Sequence, residues 1–144
     1  MAVEMLKYKL NASHSRELYE KYKDHIEPKM CYNNIFHVFE YNVDKIRNGE
    51  WKIAYGYVSS VNNVLCRHCF IIDEYGNALD PTIFTQTEVN TDREYFSFKT
   101  YDDVVEYLDA IEENKLYVAL ERVLRAEERQ AHEWALDNGY LLIG

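Results

Sequence analysis

The 144-residue sequence is poor in the features that would mark it for a membrane, a nucleic acid or an oxidising compartment. It holds no run of about 18 apolar residues, so no membrane span is expected. Positive charge is scarce: 16 lysines and arginines stand against 25 carboxylates, for a formal net charge of −9. The basic residues are scattered rather than gathered into a stripe. Such a surface repels phosphate backbones and anionic lipid, so neither nucleic acid nor membrane is expected as a partner. Three cysteines are too few, and odd in number, for a disulfide framework; they suit a reducing compartment. The opening MAVEMLKYKL is too polar for a secretory leader, so cytoplasmic residence is the expectation. Only Pro28 and Pro81 interrupt the backbone, and no repeat or Pro/Gly/Ser-rich linker divides it. A single domain over residues 1–144, long enough to bury a core, is the simplest organisation.

What the chain has in quantity is aromatic residues. Thirteen tyrosines and six phenylalanines predict a core or cleft whose walls carry polar handles.

Hydrophobic periodicity divides the chain into helical ends around a block of strands. Residues 14–27 read as a helix with Ser13 as its cap and Leu18, Tyr22 and Ile26 at four-residue spacing; Pro28 ends it. A second helix is expected from Cys31 to Asn48, with an apolar stripe of Ile35, Val38, Phe39, Val43 and Ile46. After Gly49 the period becomes two. WKIAYGYVSSV places Trp51, Ile53, Tyr55 and Tyr57 on one strand face. LCRHCFIIDE puts Cys66, His68, Phe70 and Ile72 on one face and Arg67, Cys69 and Ile71 on the other. YGN is a turn, ALDPT a short returning strand, and REYFSFKTY another strand. Thr100 and Asp103 form a capping pattern for a helix over 102–113, and a long helix is expected over 115–137, ending at Asn138-Gly139. Its Leu120, Leu124, Ala131 and Trp134 form an apolar stripe that suits packing on the domain or pairing with a second copy, a homo-oligomer. Helices flanking consecutive antiparallel strands predict an α+β fold, with N-terminal helices on an antiparallel sheet and further C-terminal helices over about 101–138.

Three features carry candidate chemistry. Cys31 stands at a helix start, where unpaired N–H groups and the positive end of the dipole stabilise a thiolate; the bland alternative is a buried cysteine acting as a small hydrophobe. His68 points with Phe70 and Ile72 toward the core side. Asp80, across the hairpin, is placed to hold one imidazole nitrogen and leave the other for a thiol. CRHC, Cys66 to Cys69, invites a metal reading, but on a strand Cys69 points away from Cys66 and His68. A zinc held by Cys31, Cys66, His68 and Asp80 is the weakest alternative, and no metal or cofactor is expected. The histidines at 14, 25, 37 and 132 lie on predicted helices among polar residues, and Glu127 to Arg129 read as a solvated helix face.

The order Cys31, His68, Asp80, with IAYGYVSSVNNVLCRHCFIIDEYGNALDPT between strand and hairpin, resembles the transglutaminase-like branch of the papain-like cysteine peptidase superfamily. The resemblance covers residues of about 28 to 84 and rests on Gly56-Tyr57, His68 and Asp80-Pro81-Thr82, with Cys31 upstream at a helix start. Cys69 and Phe70 after the histidine, and the absence of Gly beside Cys31 in MCYNN, depart from the usual pattern. Asn34 three residues after Cys31 is closer to small bacterial and phage members. The resemblance implies a cysteine-dependent hydrolase or acyltransferase acting on an amide, a peptide bond or glutamine side chain, of a protein or peptide substrate. In it Cys31 is the nucleophile, His68 the base and Asp80 its orienter, with Asn34 and Tyr57 as candidate oxyanion donors or substrate contacts. The alternative from a different class is a non-catalytic acidic binding or inhibitory protein on the same scaffold.

Overall fold

The computed structural model describes residues 5–60 and 63–143, and the last residue of the first predicted strand, Val61, lies outside them. The fold is α+β: among the described residues, five helices and a six-stranded open sheet. The strands are β1 (Leu6–Lys9), β2 (Trp51–Ser59), β3 (Val64–Asp73), β4 (Ala78–Leu79), β5 (Glu94–Tyr101) and β6 (Leu141–Ile143). They run in the order β1-β5-β2-β3-β4, with β6 also beside β3. The expected antiparallel sheet is mixed, because β6 returns along β3 in parallel while the other pairings are antiparallel.

The helices are α1 (Ala12–Tyr22), α2 (Cys31–Glu40), α3 (Val43–Arg47), α4 (Val104–Glu113) and α5 (Arg125–Asp137). Several boundaries differ from the periodicity, each for a local reason. Asn11, not Ser13, caps α1: its Oδ1 accepts the His14 N–H at 3.0 Å. That helix tightens at Lys23–His25 into a 3-10 turn and Ile26 is already extended, so it stops short of residue 27. The predicted second helix is broken into α2 and α3 because the Asn42 amide donates to the Val38 carbonyl at 2.7 Å and to the Tyr22 hydroxyl at 2.9 Å, taking the place of a continuing backbone bond. Asp103 rather than Thr100 caps α4, accepting the Glu106 N–H at 2.9 Å.

The largest correction concerns residues 115–124, expected as helix and found as a chain of turns. Lys115, Leu116 and Leu120 there have positive φ, and Asn114 supplies the bonds a helix would have made. Its amide donates to the Tyr117 carbonyl at 2.8 Å and its Oδ1 accepts the N–H groups of Arg122 and Val123 at 2.9 and 3.2 Å. Leu120, Leu124, Ala131 and Ala135 are nonetheless buried in the main core, so the apolar stripe of the C-terminal segment is spent inside the chain. Trp134 stacks on Tyr140, with 6.0 Å between ring centres, and both reach Phe96.

Both faces of the sheet are covered. Ile53, Tyr55, Tyr57, Cys69, Ile71 and Phe96 belong to the main core with α2, α4 and α5; Ala54, Val58, Phe70, Ile72, Ala78 and Tyr95 form a smaller core on the other face. The alternation predicted for β3 therefore holds. β5 carries an extra residue, Phe98, where the register against β2 shifts between Tyr55 and Gly56. The bulge draws the two backbones together at Gly56: a Cβ there would lie 1.7 Å from the Phe96 carbonyl oxygen. Only glycine fits, and Gly56 is the direct cross-strand partner of His68. Gly56→Ala is expected to cost at least about 2 kcal/mol in chemical denaturation, as overpacking against immovable backbone does; a change within about 0.5 kcal/mol would mean that the bulge relaxes freely.

Candidate active site

The site forms where β3 has a strand on one side only. On the side away from β2, β6 covers residues 64–66 and β4 covers residues 71–72. Residues 67–70 lie between them without a strand partner among the described residues, and α2 packs against β3. Cys31 is the first residue of α2, as expected from the sequence, and no side chain caps that helix start, so its first-turn N–H groups are not taken by a cap.

His68 and Asp80 meet across the β3–β4 hairpin: the ring Nε2 lies 2.8 Å from Asp80 Oδ2. That leaves Nδ1 as the nitrogen for a second partner, and the Cys31 thiol lies near enough to the ring to favour its charged form. The three residues predicted from the sequence therefore converge. Cys31 is 7% exposed and Asp80 fully buried, and the His68 side chain is 11% exposed. Burial works against charge on the imidazole, but the Asp80 carboxylate, its hydrogen bond and the Cys31 contact outweigh it and hold His68 up at about 10. The ring is thus an imidazolium at neutral pH.

Sequence reasoning missed the residues that hold Asp80. The Tyr95 hydroxyl of β5 donates to the same Oδ2 at 2.7 Å, and the Asp80 N–H donates to Ser15 Oγ of α1 at 2.9 Å. Ser15 in turn donates to the Asn11 carbonyl at 2.7 Å. The only signal was position: Tyr95 falls on the strand face opposite Phe96, toward His68.

Of the two candidate oxyanion donors, Asn34 has another task. Its Nδ2 donates to the Glu27 carbonyl at 2.8 Å and to Thr82 Oγ1 at 3.0 Å, while its Oδ1 accepts the Glu27 N–H at 3.0 Å. Both amide hydrogens are engaged, so Asn34 has none to offer a substrate oxygen. It instead ties the segment before Cys31 to the turn after Asp80. Tyr57 is on the main-core face, beside Tyr32 and Arg67 on the wall of a groove of about 790 Å³ that runs under α5. Burial, and after it the Glu128 carboxylate, push its hydroxyl up to about 12 against the opposing charge of Arg67, so it stays protonated, and a donor, through the neutral range.

This groove does not include Cys31 or His68; their chain neighbours Tyr32 and Arg67 line it. The chemical centre is the cluster rather than the groove, because the His68–Asp80 pair lies there with the Cys31 thiol beside it. Among the described residues no three His, Cys, Asp or Glu side chains are arranged to hold a metal ion, and no helix is long and apolar enough to cross a membrane.

Comparison with protein families, with curated proteins and with solved structures finds no match for the chain. The site rests on its own geometry.

The raised His68 pKa has a consequence for stability. Between the unfolded value of about 6.5 and the folded value of about 10, the folded chain holds a proton that the unfolded chain has lost. The stabilisation from this pair is therefore complete below about pH 6.5 and declines as pH rises to about 10. Wild type is expected to lose more Tm than His68→Gln over that interval, by roughly 3 °C for each kcal/mol of linkage. Parallel Tm profiles for the two proteins would contradict a charged His68.

Proposed function

We propose that the chain is a cysteine-dependent amide hydrolase or acyltransferase of the transglutaminase-like, papain-like type. The observation that carries this reading is a single ring: His68, bonded to the buried Asp80 through one nitrogen and lying beside the Cys31 thiol at an uncapped helix start.

In the proposed reaction the Cys31 proton resides on His68, and the sulfur attacks the carbonyl carbon of an amide. The carbonyl π electrons move to oxygen, and the first-turn N–H groups of α2 donate to that oxyanion. The intermediate collapses with cleavage of the C–N bond, His68 protonates the departing nitrogen, and a thioester to Cys31 remains. The neutral imidazole then takes a proton from water or from an amine as it attacks the thioester, and returns it to sulfur as Cys31 leaves. Water gives hydrolysis or deamidation; an amine gives transamidation. Asp80 keeps the ring oriented and its charge balanced throughout. The reaction calls for no cofactor.

The burial of Cys31 favours a second reading, a binding or inhibitory protein that retains the scaffold without turnover. Alkylation separates the two. A catalytic thiol is expected to react with iodoacetamide at pH 6 to 7 at least about tenfold faster than an ordinary thiol of pKa near 8.5, and Cys31→Ala is expected to abolish that labelling without altering the far-UV circular dichroism. Labelling at Cys66 or Cys69 with Cys31 inert would remove the assignment.

A further inference from the structure

We propose that Arg67 is a positioning residue: from the face of β3 opposite His68 it braces the first turn of α2 and so sets how closely Cys31 approaches the imidazole. The inference rests on Cys31 being the nucleophile.

Two sequence-adjacent pairs face each other. Cys31 and Tyr32 open α2; Arg67 and His68 lie in the stretch of β3 that has no strand beside it on the side away from β2. Cys31 lies beside His68, and Tyr32 is bonded to Arg67: the Nη1 group donates to the Tyr32 hydroxyl, and the guanidinium lies 4.9 Å from the centre of the Tyr32 ring. The other arms of the guanidinium are also used. Nε donates to both carboxylate oxygens of Glu128 on α5, each at 2.9 Å, and Nη2 donates to the Ala119 carbonyl at 2.8 Å. The side chain is only 9% exposed. A planar fork with every arm occupied cannot turn without releasing α2, α5 or the 114–124 turns, and lysine lacks that geometry.

The start of α2 needs such a brace for a chemical reason. A side-chain cap would anchor it, but would also occupy first-turn N–H groups that the proposed oxyanion requires. A thiol is too weak a hydrogen-bonding group to fix a helix by itself. Anchorage therefore comes from residues further along the turn. Asn34 holds it to Glu27 and Thr82, and Tyr32, stacked on Tyr55 at 5.8 Å, is held by Arg67. Glu128 balances the Arg67 charge, so the contribution of Arg67 is geometric rather than a positive field on the sulfur.

The test uses Tyr32→Phe, which keeps the ring and its stacking but removes the oxygen that Arg67 donates to, and Glu128→Gln, which loosens the other end of the brace. Iodoacetamide alkylation of Cys31 in the full chain, followed by peptide mapping across about pH 5 to 10, is compared with wild type and His68→Ala. Both brace variants are expected to keep the wild-type circular dichroism and a Tm within a few degrees. They should alkylate Cys31 about tenfold more slowly near pH 6 to 7, then rejoin wild type above about pH 9, where an unassisted thiol ionises. A merely structural role would shift Tm without this pH-dependent gap. Curves for both variants that superimpose on wild type, with His68→Ala displaced, overturn the brace and leave the nucleophile standing. If His68→Ala superimposes as well, both readings fall.

Discussion

A carboxylate with no exposure to water is among the most expensive objects a small protein can hold, since desolvating an ion costs several kcal/mol even after relaxation. Asp80 is such a group, and the site is organised around its compensation. His68 supplies a counter-charge, Tyr95 a second donor to the same oxygen, and the Asp80 backbone N–H is fixed on Ser15. These partners come from β3, β5 and α1. The folded positions of three separate elements are therefore tied to one ion, and the imidazole inherits its charge from that arrangement rather than from solvent.

The same logic explains why the C-terminal third is part of the frame. Residues 114–124 look expendable as irregular turns, yet their carbonyls are where buried side chains end: Tyr55 donates to Val118 at 2.5 Å and Arg67 to Ala119. Leu120 and Leu124 then enter the core, and α5 presents Glu128 to the strand that bears His68. A region read from its charges as solvated surface thus contributes a half-buried ion pair beside the site.

What was legible in the sequence was what is local. Alternation in WKIAYGY and RHCFII revealed β2 and β3 because each residue's face is fixed by its neighbours, and His68 and Asp80 were legible because a short hairpin separates them. Cys31 was found because Pro28 and the following apolar stripe announce a helix start. The rest depends on partners far apart in the chain. Tyr95, Ser15 and Arg67 are ordinary residues in ordinary segments until folding brings them to Asp80 or Tyr32. The spacing of Leu120, Leu124 and Ala131 fits a helix, but periodicity reports burial and not backbone conformation, and the Asn114 side chain satisfies a tighter path. Asn34 shows a different limit: an amide three residues after Cys31 has the right chemistry for an oxyanion donor, but its hydrogens are already spent. β1 and β6 are four and three residues long, too short for any alternation to register.

The three thiols show how much of the chemistry lies in the surroundings. Cys69 is sealed in the main core, where burial, together with the nearby Cys31 and Asp80, pushes its thiol well up against the smaller opposing effects of Arg67 and the Tyr55 hydroxyl. Cys66 packs against the smaller core, on the same strand face as His68 but with β6 paired across its backbone. Cys31 alone combines an uncapped helix start with a charged ring at its side. The surroundings that oppose an anion at Cys69 are those of a sealed core, whereas Cys31 stands at a helix end beside an imidazole. The difference comes from placing Cys31 at the gap between two short strands, where the helix end and the imidazole both reach it.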